Sequence, residues 1–408
     1  MGDRLASHSI FKNKVLVSSM LFLLVRPASF DLIDILDWTW LYGSTICAVL
    51  LVLIALFLVP IEKTEIWIFA FFFSLFFSTV VGSGKVYEYM RTFFPSLAMC
   101  LLFSIWIKKS PETLLDAFSV LEILVYINLF SILLHPKGMY ETTLYTANWF
   151  LGYKNVHIRT ILPILSMSCI RSYVKFRRLT LRTYLLIITA TVTMFLVGSA
   201  TSLVGIVSFM GALFIFHSKG KELPKWITLL NATVATVVAS VMILVFRIQE
   251  VFSFLIVEIL NRDLTFTTRT NIWDRSLKLF REKMIWGQGY LPGRDFTEHL
   301  GSPYATHPHH FFLYLLVMGG CVFFFVLLWS IFSANRELNE SIDSVCSKVV
   351  LFTLVAFLIM GLAEALVGTV LLYPMLILAM NVKNIVKLEN KTQSAVRKIK
   401  IKFRTPHS

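Results

Sequence analysis

The chain has 408 residues, of which 57% are hydrophobic and 15% are charged, and its mean hydropathy is +0.74. Soluble domains carry about 25% charged residues, so this composition excludes a soluble globular protein and predicts a membrane protein. The formal net charge of +14 does not indicate a nucleic-acid partner, because the inner loops of membrane proteins collect Lys and Arg.

Twelve apolar runs follow one another along the chain, and we interpret each as a membrane helix. They do not alternate between apolar and polar residues, as the strands of a membrane barrel would. No A-x-A-like site follows the first run, which indicates an uncleaved first helix. The predicted spans are 15–28, 38–59, 65–82, 92–107, 113–134, 157–174, 183–198, 201–217, 226–247, 310–333, 348–363 and 366–383.

The distribution of Lys and Arg predicts that both termini lie in the cytoplasm. With that orientation most basic residues fall in inner loops, above all in "RSYVKFRRLTLR" and in the tail. We therefore predict an all-α polytopic membrane protein with about twelve transmembrane helices and one large external loop that contains an amphipathic helix. Its predicted parts are membrane helices in 1–247, the external loop in 248–309, membrane helices in 310–383 and a basic cytoplasmic tail in 384–408.

The external loop contains the stretch "TTRTNIWDRSLKLFREKM", which has the periodicity of an amphipathic helix. Its apolar face is predicted to pack on the membrane bundle or on the lipid surface. The apolar face comprises Trp273, Leu277, Phe280 and Met284, and the polar face comprises Asn271, Asp274, Arg275, Lys278 and Glu282.

Arg269 stands four residues before Trp273, so it heads the apolar face and lies in the first helical turn. The helix dipole disfavours a cation there. A guanidinium beside the free N–H groups of a helix start forms an anion site that suits a phosphate. The alternative is an arginine that extends to lipid headgroups.

Three histidines stand within four residues in "HPHHFFLYLLVMGG", at the start of the tenth predicted span. His309 and His310 are predicted to begin that helix, and His307 to lie in the loop before Pro308. Counted from His309, Gly320 is predicted to share its helix face, where another helix can approach closely. A histidine near neutral pH suits general-base work on a hydroxyl, whereas a headgroup contact or a shared metal are the alternatives. No H-E-x-x-H motif is present, and the five cysteines form no CxxC pair, so we predict no metal site.

These two segments resemble the O-antigen ligase and polymerase family, which includes exopolysaccharide and capsule polymerases. "TTRTNIWDRSLKLFREKMIWGQGY" is similar to the family's outer-loop pattern of an arginine, an aliphatic-aromatic pair, a helix and a closing G-x-G. "HPHHFFLYLLVMGG" resembles the family's H-x-H-N-x-x-L followed by a glycine pair, with His309 as the motif histidine. His310 stands where the family usually has Asn. The order of the motifs and the twelve-helix plan agree as well.

Other positions of the chain resemble the family more loosely. "FLVGSATSLVGIV" keeps Ser199 and Thr201 of a helix start, but Ala200 stands where a basic residue is usual. "LGYKNV" is similar to an outer-loop Lys-Asn pattern, which implies that Lys154 lies beside the site. Glu364 is similar to the family's acidic residue in an outer turn. For Lys154 and Glu364, an interfacial charge and a helix-end charge are the alternatives.

The resemblance implies a glycosyltransferase on the outer face of the bacterial plasma (inner) membrane, without cofactor or metal. The implied donor is a glycan on polyprenyl pyrophosphate, and the acceptor is another lipid-linked repeat unit (polymerase) or lipid A core (ligase). In that scheme Arg269 stabilises the leaving pyrophosphate, His309 takes the acceptor proton, and Trp273 and His310 contact substrate. The implied partners are the lipid-linked oligosaccharide, membrane lipid, a chain-length regulator and a flippase.

Three alternative functions remain open from the sequence. Ala200 favours a polymerase over an O-antigen ligase, because the ligases depend on the base at that position. A transporter or flippase for lipid-linked sugars could use Glu122 as a membrane-embedded acid, although the paired repeats typical of transporters are missing from the sequence. A structural subunit with degenerate motifs is the third, kept open by His310 and Ala200.

The predicted topology can be tested with reporter fusions after Lys219 and after Gly293. We expect the two fusions to report opposite sides of the membrane, because the first follows an inner loop and the second lies in the external loop. The measurement is paired alkaline phosphatase and fluorescent-protein activity. Equal readings from the two positions would overturn the assignment of spans.

Overall fold

The computed structural model describes residues 10–82, 84–143, 145–216, 222–248, 266–300 and 305–402. Parts of several predicted segments lie outside these residues. They are 249–265 and 301–304 of the external loop, 217–221 of an inner loop, and 403–408 of the tail.

Helices make up nearly all the regular structure of the described residues, because a helix satisfies every backbone hydrogen bond within one apolar segment. One short antiparallel hairpin, β1 (Asn148–Trp149) and β2 (Gly152–Tyr153), and two 3₁₀ turns, Ala28–Leu32 and Ser119–Leu121, accompany them. The helices are α1 Lys14–Leu24, α2 Asp34–Phe57, α3 Lys63–Val81, α4 Val86–Lys109, α5 Pro111–Phe118, α6 Glu122–Leu134, α7 His157–Phe176, α8 Leu181–Leu196, α9 Ala200–Phe216, α10 Leu229–Leu244, α11 Phe266–Glu282, α12 Gly293–Leu300, α13 Phe311–Asn339, α14 Val345–Gly361, α15 Leu372–Met380 and α16 Val382–Lys402.

Among the residues that the structure describes, five segments are long and apolar enough to cross a membrane, namely α2, α3, α4, the α5–α6 pair and α13. Five shorter apolar helices, α1, α8, α9, α10 and α14, accompany them. These helices confirm the all-α fold of a multi-pass membrane protein, while the number of twelve spans stays a prediction. The last predicted span is represented by α15, which has only nine residues, and the predicted basic tail is helical as far as Lys402.

Two polar contacts join segments that are predicted to lie on the same side of the membrane. At the outer end, Asn155 Nδ2 donates a hydrogen bond to Glu364 Oε1 at 2.8 Å. At the inner end, Arg177 Nη1 lies 3.0 Å from Glu389 Oε1. Each contact is compatible with the predicted topology, which stays a prediction.

Ion pairs bind the inner ends of the helices to one another. Asp116 on α5 is contacted by Lys14 on α1 and by Arg171 on α7, whose Nε lies 3.0 Å from Oδ1. Glu122, the acid that a transporter could use, accepts a hydrogen bond from Arg182 Nε at 2.6 Å. This pairing accounts for the buried position of Glu122 without a transport role.

The amphipathic helix predicted in the external loop is α11. Trp273 is 2% exposed, Leu277 and Phe280 are half-buried, and the residues predicted for the polar face are all exposed. The prediction for Met284 is wrong, since α11 ends at Glu282 and the Met284 side chain is 50% exposed. Leu279 is buried in α11 instead. The sequence reading also missed α12, whose eight residues bury Phe296 and Leu300 but are too few to show a helical period.

Helix α13 is broken at Gly320, where φ is 61° and ψ is −163°. In an unbroken helix the N–H groups of Cys321 and Val322 would bond to the carbonyls of Val317 and Met318. Here those N–H groups donate to the carbonyls of Met284 and Ile285, at 2.8 and 3.2 Å.

The "GQG" segment, 287–289, supplies the donors for the two carbonyls of α13 that the break leaves without helical partners. The N–H groups of Gln288 and Gly289 donate to the carbonyls of Val317 and Met318, at 2.7 and 2.9 Å. A stretch of the external loop thus inserts into the break and takes over the hydrogen bonds that the helix gives up. Irregular backbone is tolerated at membrane depth where such pairing is complete. The close neighbour of Gly320 is therefore this loop backbone, and the prediction of another helix there is wrong.

Gly320→Ala should destabilise the protein by about 2 to 4 kcal/mol, because the conformation belongs to a region reached by glycine and the added carbon meets backbone. A Cβ at Gly320 would lie 2.3 Å from the Ile285 carbonyl oxygen. The measurement is the thermal unfolding midpoint of the purified protein.

Gly211→Ala in helix α9 is the matched control, since no described atom beyond its chain neighbours and its own helix backbone lies within 4 Å of the added carbon. It should unfold at or slightly above the wild-type temperature, because alanine favours a helix over glycine. Equal midpoints for Gly320→Ala and the wild type would show that the junction does not depend on the glycine.

Candidate active site

The segment with the three histidines, 307–310, ends at the N-cap of helix α13. Helix α13 begins at Phe311, so the prediction that His309 and His310 begin the helix is wrong. His310 is the N-cap residue, and its Nδ1 accepts a hydrogen bond from the Leu313 N–H at 3.3 Å. Asn is among the best N-cap residues, which gives a physical reason for the Asn that is usual here in the resembling family.

His309 lies outside the helix in a left-handed backbone conformation, with a φ of 52°. Such a conformation costs a non-glycine residue about 1–2 kcal/mol and persists where surrounding contacts enforce it. One contact is local, since the His309 N–H donates to His307 Nδ1 at 3.2 Å and the two rings are 4.1 Å apart. The predicted face shared by His309 and Gly320 therefore does not exist.

Trp273 supplies the second contact, from the amphipathic helix α11 of the predicted external loop, which we call the cap helix. Its indole Nε1 donates to the Pro308 carbonyl oxygen at 2.9 Å, directly before His309. The side chain is 2% exposed, so in this structure it holds the histidine segment in place rather than facing a substrate. This contact gives Trp273 a positioning role, while its role as a substrate contact stays a prediction.

Arg269 and His309 are brought together, although they come from separate segments of the chain. Arg269 lies in the first turn of α11, half-buried, with Nη1 3.5 Å from the Ala363 carbonyl oxygen. Its charge lowers the pKa of both His307 and His309. The two predicted catalytic side chains therefore lie within electrostatic range in one site.

The two loop histidines are neutral at pH 7. Burial first, and then the charges of Arg269 and Arg159, lower the pKa of His309 to about 4. Burial also takes the pKa of His307 well below its ordinary value, with His309 and both arginines adding to the effect. His309 Nδ1 is buried and has no hydrogen-bond partner among the described residues. A neutral imidazole with a free ring nitrogen can accept a proton.

A chain of hydrogen bonds joins three other elements to this site. The Ser199 hydroxyl, just before α9, donates to Asn155 Oδ1 at 2.8 Å. Asn155 Nδ2 donates to Glu364 Oε1 at 2.8 Å, and Glu364 Oε2 lies 3.5 Å from Arg159 Nη2. Burial raises the pKa of Glu364 even though Arg159 and Arg269 act to lower it. Ser199 and Glu364, predicted from the family resemblance, thus belong to one network.

Sequence reasoning missed Asn155 and Arg159. Asn155 belongs to "LGYKNV", beside Lys154, but an asparagine in an outer loop has no feature that marks it as part of a site. Arg159 is the third residue of α7, and a single arginine at a helix start has no local pattern that marks it. Its acidic partner Glu364 is 205 residues away, so only the folded chain reveals the pair.

The outer loop before α7 carries an aromatic surface next to this network. The rings of Tyr145 and Tyr153 stack 3.8 Å apart at 14°. Burial raises the pKa of Tyr153, and the charge of Glu364 adds to this rise, so Tyr153 lies near that carboxylate. Lys154 Nζ lies 5.9 Å from the centre of the Tyr153 ring.

His157 fixes this loop on the bundle. It is fully buried, its Nε2 lies 2.9 Å from the Gly152 carbonyl oxygen, and its Nδ1 lies 3.4 Å from Asn128 Nδ2.

Thr201, the remaining predicted residue, is half-buried in the first turn of α9, two residues after Ser199. The described residues contain no group of three His, Cys, Asp or Glu side chains arranged to hold a metal ion.

Comparison with known families bears on the part of the chain that carries Arg269 and His309. Residues 185–328 match the family model described as O-antigen ligase. This match confirms the predicted resemblance to the O-antigen ligase and polymerase family over about a third of the chain, and it supports a glycan-processing role in a membrane. It includes Ser199, but Asn155, Arg159 and Glu364 lie outside it. A search of curated proteins found no match to the chain.

Proposed function

We propose that the chain is a bacterial surface-polysaccharide polymerase on the outer face of the plasma membrane. It transfers a glycan from a polyprenyl-pyrophosphate donor to the hydroxyl of another lipid-linked repeat unit. The observation that carries the proposal is the pairing of a free, neutral His309 with the guanidinium of Arg269 at the outer end of the bundle. A base and a cation are the two groups that this transfer requires.

In the proposed reaction the acceptor oxygen attacks the anomeric carbon of the donor glycan. The bond between that carbon and the pyrophosphate oxygen breaks, and the electron pair leaves with the pyrophosphate. The acceptor proton passes to the imidazole of His309. Arg269 stabilises the negative charge that grows on the leaving group, which is the main task of preorganised cations in such sites.

The strength of the base depends on the occupant of the site. Burial, together with the charges of the two arginines, holds the pKa of His309 at about 4, which makes it a weak base. A bound pyrophosphate would offset their charges, and its own negative charge favours imidazolium, so the pKa of His309 rises towards neutrality. A base is most effective when its pKa lies near the working pH. Donor binding would therefore activate His309.

A small apolar cleft lies beside the site. It begins at Phe311, next to the cap residue His310, and at Leu366, two residues after Glu364. Its walls are almost wholly apolar and include Leu327, Leu354, Phe357 and Tyr373. Its free volume of about 40 Å³ is too small for a polyprenyl chain, so the cleft supplies an apolar surface beside the site and not a lipid pocket.

The same proposal includes a reaction that needs no metal ion and two protein partners, a chain-length regulator and a flippase. Lack of an H-E-x-x-H motif supports a reaction without metal. O-antigen ligase is the second candidate function, favoured by the description of the matching family. Ala200 supports the polymerase, since the resembling ligases have a base there.

Deletion of the gene distinguishes the two functions through the cell's glycans. A polymerase deletion should remove long chains and leave single repeat units on their final acceptor. Chains that are polymerised, remain lipid-linked and never reach the lipid A core would instead identify a ligase. Unchanged glycan would contradict both. The companion assay uses the purified protein with lipid-linked repeat units in excess chelator, where elongation is expected.

Substitution of the histidines tests the assignment of the base. His309→Ala should lower the rate of transfer by about 10² to 10⁴ at equal protein level, the usual contribution of a general base. His307→Ala should be milder, because His307 supports the loop through one hydrogen bond. His310→Asn should be close to silent, because asparagine preserves the N-cap.

The readout is chain elongation by purified variants that insert normally into membranes. A His309→Ala protein with normal elongation would remove His309 from the mechanism. A larger loss in His307→Ala than in His309→Ala would move the base to His307.

A further inference from the structure

The described side chains around His309 carry more positive than negative charge. Arg159 and Arg269 both act on His307 and His309, and both of these imidazoles are neutral at pH 7. Glu364 is the carboxylate of the described residues that faces the two arginines, so at most one negative charge opposes two positive ones. A partly buried excess of positive charge is costly until an anion binds to it.

Arg159 is incompletely satisfied by the protein. Its side chain is 17% exposed, and its Nη2 lies 3.5 Å from Glu364 Oε2. That distance exceeds the roughly 2.7–2.9 Å of a strong charge-assisted hydrogen bond. Its Nε is buried and has no hydrogen-bond partner among the described residues. The planar guanidinium therefore retains donors for a ligand.

We propose that Arg159 is a second ligand of the donor's pyrophosphate, acting together with Arg269, and that Glu364 is the residue that positions it. The proposal rests on the proposed function and names a further residue of that site. Two guanidiniums within range of the same imidazoles can each hold one phosphate of a diphosphate. The hydrogen-bond chain from Ser199 through Asn155 fixes Glu364, and thereby the orientation of Arg159.

This assignment also fits the presence of Ala200 at the start of α9, where the resembling family usually has a basic residue. Ala200 leaves that helix without a charged side chain, whereas Arg159 supplies a cation to the same site from α7. The route from Ser199 at the start of α9 to Arg159 passes through Asn155 and Glu364 alone. A cation on α7 is therefore only two side chains away from the position where α9 lacks one.

A purely structural ion pair makes a different prediction from an anion ligand. If Arg159 and Glu364 only stabilise each other, loss of either partner leaves a buried unpaired charge, and loss of both relieves the defect. If Arg159 binds an anion, the two losses have opposite signs. Removal of Arg159 removes an attraction for the anion, and removal of Glu364 removes a repulsion.

The experiment measures the dissociation constant of inorganic pyrophosphate for the purified full-length protein in zwitterionic nanodiscs at low ionic strength. The variants are Arg159→Gln, Glu364→Gln and the double change. Arg269→Gln serves as the reference for loss of a ligand. Arg281→Gln, an exposed arginine on the same cap helix as Arg269, is the matched control for net charge.

Arg159→Gln should weaken pyrophosphate binding about 10- to 100-fold, as expected for loss of hydrogen bonds to a charged group. Glu364→Gln should tighten binding severalfold, because the amide oxygen can still accept the hydrogen bond that positions Arg159 but no longer repels the anion. Arg281→Gln should leave binding unchanged. Wild-type affinity in Arg159→Gln would overturn the proposal. So would weaker binding in both single variants with recovery in the double variant, since that result identifies a structural pair.

Arg159→Lys covers the case in which Arg159→Gln does not fold. It keeps the charge towards Glu364 but lacks the planar fork, so pyrophosphate binding should still fall at least about 3-fold. An unchanged constant in that variant would equally overturn the role of Arg159. If neither the wild type nor Arg281→Gln binds pyrophosphate, the donor named in the proposed function is what fails. If both bind and the Arg159 variants bind equally well, only Arg159 is wrongly assigned.

Discussion

Four backbone hydrogen bonds between the "GQG" region and the break in α13 fix the outer end of the molecule. Unpaired N–H and C=O groups are very costly at membrane depth, so the break at Gly320 is stable only while the loop segment fills it. The junction sets the register of the external loop against α13. Helix α11, which carries Arg269, ends just before this junction, and the histidine cap lies three turns away at the start of α13. The relative position of the two side chains therefore depends on backbone pairing.

Geometry and charge in the site have separate sources. The strained backbone of His309 is held by its hydrogen bond to His307 and by the bond from Trp273 to Pro308. The charge comes from Arg269 on α11 and Arg159 on α7, and burial together with these charges lowers the pKa of His309. Because Arg269 lies on the cap helix α11 and Arg159 lies on the bundle helix α7, a ligand that contacts both arginines also stabilises the contact between these two helices. The same ligand would raise the pKa of the imidazole, so binding and base strength are coupled in this site.

Much of the fold and part of the site could be predicted from the sequence because those features depend on local pattern. Long apolar runs indicate membrane helices, and the period of α11 correctly assigned Trp273 to the buried face. Arg269 was notable because a cation at a helix start on an apolar face has no role in solvation. His309 was notable because histidine is rare in this chain and three stand together. Each inference used residues within one or two helical turns of one another.

The sequence by itself therefore determined the membrane class and the amphipathic helix α11. The sidedness of the loops and the catalytic roles of Arg269 and His309 stay predictions. The tertiary structure alone decided that His309 lies outside α13 in a left-handed conformation, since contacts from another helix enforce that state. It alone decided that Trp273 holds the histidine segment, and that Asn155 and Arg159 join Glu364. The physical reason is distance along the chain: hydrophobic periodicity reports which face of a helix is buried, but not which charge 205 residues away will face it.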